Sequence, residues 1–236
     1  MALVKDVIER AYTKVNGEFE LLSESGDDFK TYLNVLNQVM NNLAHTPYVK
    51  WQIFFNPAFN VGTIVDNTLS YVIPTMSEIT IASSPFDHVY FVDGSGVVQD
   101  KYKIVDTAMF QSTNNERVCM IAGDKIYLKS TPTKIVGTTL RLPVYQDPAP
   151  YTAGSQSLVV DSVPWVVASM AAFICDTSPV PFIARNADKY YKEAAIFMKE
   201  MRENNKRTQM LMVKSLNSTA PHTWADVMQL MTIRDL

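Results

Sequence analysis

The spacing of apolar residues along the chain changes period twice. Up to Pro47 they recur every three or four positions, from about residue 60 to 145 they come in short β-branched and aromatic runs, and from residue 161 the helical spacing returns. The first segment places Leu3, Val7, Ile8, Ala11, Tyr12 and Val15 on one helical face, with Gly17 as a stop. A polar break at Ser23–Glu24–Ser25–Gly26–Asp27–Asp28 offers N-cap residues for a second helix over 28–43, whose stripe is Phe29, Leu33, Leu36, Met40 and Leu43. Two short amphipathic helices in sequence form a hairpin whose apolar faces need a partner. The stretch 161–212 supplies one. Its first helix, 163–175, carries Val163, Trp165, Val166, Val167, Ala168, Met170, Ala171, Ala172, Phe173 and Ile174 and is apolar on every side, so it belongs in a core. It is too short to cross a bilayer, which takes about 20 residues. A long amphipathic helix from Pro181 to beyond Met201 follows, with Ile183, Ala187, Tyr190, Ala194, Phe197 and Met201 on one side. Its pattern weakens after Asn204–Asn205–Lys206–Arg207.

Between the helical parts, Trp51, Ile53, Phe54 and Phe55 read as a core anchor, because only Lys50 is near enough to make them a platform for a base or sugar ring. Strands are predicted at 68–73, 78–81, 88–92, 102–105, 117–122, 125–129 and 138–144. The clearest is the pair around Gly123–Asp124, where Gly takes the positive φ of a tight hairpin. Short strands with turn chemistry between them predict a small antiparallel sandwich or barrel. A Pro-rich polar return lies at 146–160. The reading is α+β: a helical bundle from residues 1–56 and 161–212, a β-rich antiparallel insertion at 57–160, and an extended C-terminal arm at 213–236. That arm contains Trp224, Val227, Met228, Leu230, Met231, Ile233 and Leu236, too apolar for a solvated tail, so it either folds back or docks on a partner.

Charge and chemistry narrow the function classes. The 236 residues carry a net charge of −3, with 47% hydrophobic and 19% charged residues, so no global basic excess draws the chain to nucleic acid or to an anionic membrane. Cys119 and Cys175 each stand in an apolar run and are expected as buried free thiols. No cleavable leader and no run of spanning length is seen, which predicts a protein made in a cytosol. His45, His88 and His222 have no nucleophile or carboxylate pattern around them, and Gly-x-Ser-x-Gly, Cys-x-x-Cys and His-Glu-x-x-His are absent. Asp93–Gly94–Ser95–Gly96 lacks the Lys-Ser/Thr ending of a phosphate loop and reads as a β-turn. No catalytic residue, cofactor or metal is predicted, and the expectation is a protein that is not an enzyme.

The order of elements, with Val7–Ile8–Glu9–Arg10–Ala11–Tyr12, Leu33–Asn34–Val35–Leu36–Asn37, Trp51, Val163–Pro164–Trp165–Val166–Val167–Ala168 and Tyr190–Tyr191–Lys192–Glu193–Ala194–Ala195, resembles the head-to-tail adaptor (connector, or head-completion) proteins of tailed bacteriophages, particularly short-tailed ones. The similarity covers roughly residues 1–210. It implies a virion protein of the neck, assembled in the host cytoplasm as a homo-oligomeric, usually dodecameric, ring from a form that can be monomeric when free. Its partners would be the portal protein and a tail-side neck or nozzle protein. Genome DNA would pass through the lumen without sequence-specific binding, and the arm, at Trp224, Val227, Met228, Leu230, Met231, Ile233 and Leu236, would dock on the portal. Burial of that arm on a neighbour would gain about 25 cal/mol per Å² of apolar area. Stoppers and tail terminators occupy adjacent layers of the same neck, and helices at both ends favour the adaptor. A β-rich ligand- or glycan-binding module is the alternative, and it would favour exposed aromatics such as Tyr90, Tyr102 and Tyr127, which serve equally well in a core. A small enzyme of unrecognised type is a third.

Overall fold

The computed structural model describes the backbone of residues 2–82 and 87–218 and side chains as far as Met210. The fold is mixed α+β, with a curled eight-stranded sheet and a long helix near the C-terminus. The elements run α1 (Val4–Asn16), α2 (Asp27–Ala44), β1 (Phe55–Thr63), β2 (Ser70–Val72), β3 (Ile79–Ile81), β4 (His88–Val92) and β5 (Val98–Ile104). Then come α3 (Thr107–Ser112), β6 (Val118–Ala122), β7 (Lys125–Leu128), β8 (Thr139–Gln146), α4 (Val163–Thr177), α5 (Pro181–Ala184) and α6 (Ala187–Ser218). They divide into a helical unit, Met1–Ile53 with Asp147–Lys206, and a β unit built on Phe54–Gln146.

In the helical unit α4 is the element on which α1 and α2 both pack. Ala168, Ala171 and Ala172 are completely buried, and such small side chains let neighbouring helices come close. Pro164 lies in the first turn of α4, where its missing N–H costs nothing. The first N–H groups of α1 are satisfied from far along the chain: Val4 N donates to Gln156 O at 2.8 Å and Lys5 N to Gly154 O at 3.0 Å. Segment 147–160, which the sequence pattern groups with the strands, therefore lies in the helical unit. Leu158 and Val160 are buried there, and the Asn37 side chain pairs with both backbone groups of Tyr151 (Nδ2 to O 3.0 Å; N to Oδ1 2.7 Å). A second asparagine does the same: Asn205 accepts from Gln52 N at 2.9 Å and donates to Lys50 O at 3.0 Å.

Three helical expectations change. Asp27 and Asp28 are not caps of α2; Gly26 is the N-cap and has no side chain, and the two carboxylates occupy the first turn, where the helix dipole favours them. The helix expected from Pro181 is two helices, because the chain turns at Arg185–Asn186 and Asn186 O takes the first bond of α6 from Tyr190 N at 3.2 Å. And α6 does not fade at Asn204–Arg207 but continues to Ser218, since Lys, Arg, Gln and Met sustain a helix without an apolar stripe.

The β unit is one curled sheet in the order β1-β8-β4-β5-β6-β7-β2, with β3 also on β8. Its core centres on Phe91, Tyr102, Cys119, Ile126, Leu140 and Leu142, all completely buried. The insertion is not wholly antiparallel: β5 and β6 run parallel, which the crossover through α3 makes possible. Strand β1 was unreadable as a strand because Pro57 and two register shifts interrupt its alternation; as an edge strand it tolerates both. The Gly123 turn forms between β6 and β7, with φ +61°.

Candidate interaction surface

His45 Nδ1 lies 2.9 Å from Asn41 O, one turn back on α2, and its Nε2 is 3.5 Å from Asp147. His88 sits 3.0 Å from Asp87, yet its pKa is lowered, because burial outweighs the carboxylate and Lys101 and Lys103 add to the burial. Asp93 terminates β4 by accepting from Ser95 N and Val97 N at 2.8 and 2.9 Å, so Asp93–Gly96 is a β-turn, and these backbone donors hold its carboxyl below the usual range. In the β unit the carboxylate of Asp100, with 8% of its side chain exposed, lies between Arg117 Nε at 3.3 Å and Lys134 Nζ at 2.5 Å. Among the described residues no three His, Cys, Asp or Glu side chains are grouped to hold a metal, and no helix is long and apolar enough to cross a membrane.

Of the three tyrosines that a ligand-binding module would display, two are buried. Tyr102 is fully buried with its hydroxyl donating to Ser130 O at 3.3 Å, Tyr90 is buried and pushed up to about 12 by burial, and Tyr127 is half-buried. Trp51 is buried, an anchor of the helical unit. Cys119 and Cys175 are free and buried, and burial raises both thiols, Cys119 to about 12. The seven arm residues from Trp224 to Leu236 lie outside the described residues.

What the helical unit does present is two exposed flanks of different character on α1. On one side the chain leaves Gly17 and doubles back along the helix. Tyr12 Oη donates to Glu20 at 3.1 Å, Leu22 N to Glu9 Oε1 at 3.3 Å, and Gly154 N to Glu24 at 3.1 Å. Leu22 is buried beneath this strap while Phe19 and Leu21 point out, each 71% exposed. Around them stand Glu18, Glu20, Glu24, Asp27 and Asp28, all exposed, with no cation between Gly17 and Asp28. The sequence pattern marks only Ser23–Asp28 as a polar break and leaves Phe19 and Leu21 unassigned, because two apolar residues at alternate positions are too few to define a strand.

The other side carries α6. Lys14 Nζ meets Glu193 at 2.6 Å and lies 5.3 Å from the centre of the Tyr190 ring, and the Tyr190 hydroxyl donates to Lys14 O at 2.7 Å. Burial is the main reason that the Tyr190 hydroxyl is held above its usual pKa. With Ala187, Tyr190 and Ala194 buried, the remaining surface of α6 shows Lys189, Lys192, Lys199, Arg202 and Lys206 against Asp188, Glu200 and Glu203. Lys192, Lys199 and Lys206 are spaced by seven, so they follow one line along the helix. Among the described residues none of the three is in an ion pair. Beside that line Ile196 is 63% exposed, whereas Tyr191, about 100° round the helix from Lys192, donates its hydroxyl to Asp176 at 3.3 Å. Known protein families and curated proteins contain no match to this chain.

Proposed function

We propose that this chain is a non-catalytic structural subunit of the neck of a tailed bacteriophage, an adaptor that assembles as a ring between portal and tail. The observation that carries the reading is the organisation of the helical unit. The two outer parts of the chain build one bundle around α4, the β unit is inserted between α2 and α4, and a 32-residue helix leads into the apolar segment 219–236. That is the order of parts the family resemblance implies. A bundle of this kind can stand beside copies of itself while the terminal segment reaches a different protein. The apolar side chains from Trp224 to Leu236 would contribute about 25 cal/mol per Å² of apolar area buried on that partner. The burial of Tyr90 and Tyr102 favours this reading over a glycan-binding surface.

The test is reconstitution with the portal protein of the same genome. The full chain should pass from monomer to a portal-bound ring in electron micrographs and native mass spectra. A chain ending at Ser218, which keeps all of α6, should remain free. A full chain that stays monomeric beside its portal overturns the reading.

A further inference from the structure

The two flanks of α1 differ in charge and both expose apolar side chains, and they face away from each other. Around α1, at about 100° per residue, Lys14 stands roughly 140° from Glu9 and 160° from Tyr12. Glu9 and Tyr12 hold the acidic strap, whereas Lys14 holds α6. One chain cannot bring these surfaces together, but two copies can. We infer that the acidic strap of one copy, led by Phe19 and Leu21, docks on the lysine line of α6 in the next copy, beside Ile196. The inference rests on the ring reading and assigns the contact that would close it.

Three observations point to a second copy as the occupant. First, the charges are complementary: the strap from Gly17 to Asp28 has five carboxylates and no cation of its own, with Lys30 just beyond it 3.9 Å from Asp27, and the exposed part of α6 up to Lys206 has five cations to three carboxylates. Second, apolar side chains lie inside each charged surface, so salt links would form a rim around a desolvated centre, the anatomy of a specific interface. Third, the surfaces are different and lie on opposite sides of one helix. A contact between different surfaces is head-to-tail, the kind that builds a ring when its repeated rotation closes and a filament when it does not. The strap is also preformed, since Tyr12, Glu9 and Gly154 already hold it, which lowers the entropy lost on docking.

A charge-exchange experiment on the full chain tests this. One variant carries Glu18→Lys with Asp28→Lys, and the other carries Lys192→Glu with Lys199→Glu; all four side chains are exposed, and far-UV circular dichroism with thermal melting checks each fold. Sedimentation velocity follows self-association of each protein alone across a wide concentration range, and micrographs follow rings on the portal. Each variant alone should associate at least about tenfold more weakly than the parent, because like charges then face each other. Mixing the two in equal amounts should restore association, since alternating copies present one native contact and one reversed but complementary contact, and so should combining all four changes in one chain. Phe19→Asp should abolish association without lowering the melting temperature. If the parent forms rings on the portal and the folded single variants do so equally well, the contact is wrong and the ring reading stands. If the parent ignores the portal yet self-associates with this exchange pattern, the contact stands and the adaptor reading falls. A parent that does neither overturns both.

Discussion

Removing the carboxamide of Asn37 should detach segment 147–160 from α2. That side chain offers its oxygen to Tyr151 N at 2.7 Å and its NH₂ to Tyr151 O at 3.0 Å, while the Tyr151 residue is 6% exposed. Asn37→Ala leaves a donor and an acceptor without partners at once. Two hydrogen bonds at about 1 kcal/mol each, with poorly hydrated groups left behind, give a loss of about 2–3 kcal/mol from the helical unit. Asn37→Asp is the sharper probe. At neutral pH its carboxylate accepts from Tyr151 N but turns a charged lone pair toward Tyr151 O, so it should cost at least as much as alanine. Once protonated it donates to that carbonyl and both bonds return. The folded state therefore favours the protonated form, its pKa at this position lies above the ordinary value near 3.9, and between the two values the folded chain binds more protons than the unfolded one. The variant's stability relative to its parent should rise as pH falls through that window. Urea titration followed by tryptophan fluorescence reads this directly in a Trp224→Phe background, because Trp51 and Trp165 are both buried in the helical unit. A loss under about 0.5 kcal/mol for alanine, or an aspartate variant whose deficit does not change with pH, would refute the reasoning.

Three further outcomes test other parts of the fold. His88 has a lowered pKa, chiefly from burial, so the unfolded chain binds more protons below about pH 6.5; the β unit should lose stability as pH falls through that region, and His88→Gln should flatten the slope in urea midpoints measured by circular dichroism. Gly123 has φ +61° and nothing within 4 Å of the place a Cβ would take, so Gly123→Val should cost about 1–2 kcal/mol in urea titration through backbone conformation alone, and Gly123→Asn much less. Cys119 and Cys175 are buried with raised pKa values, so a chromogenic disulfide reagent at neutral pH should leave both untouched in the native protein and titrate both in denaturant.

Wherever burial on one side repeats with a regular period, the chain could be read before its structure. That holds for α1 and α2, for the β6–β7 hairpin with its glycine, and for the α+β class, because each depends on neighbours three, four or two positions apart, while α4 is legible because it is apolar all round. What escaped depends on partners far along the chain. Pro57 hides β1, which exists because β8 pairs with it; β5 and β6 are parallel because α3 intervenes; and residues 147–160 join the helices through Asn37 and the start of α1. The two flanks of α1 belong to this second class. Residues 17–28 alone are a polar loop, and α6 alone is an amphipathic helix with mixed charge. Opposed surfaces arise only when Tyr12 and Glu9 draw the strap to one side of α1 and Lys14 draws α6 to the other, since a local sequence sets which side chains share a face but not what that face meets.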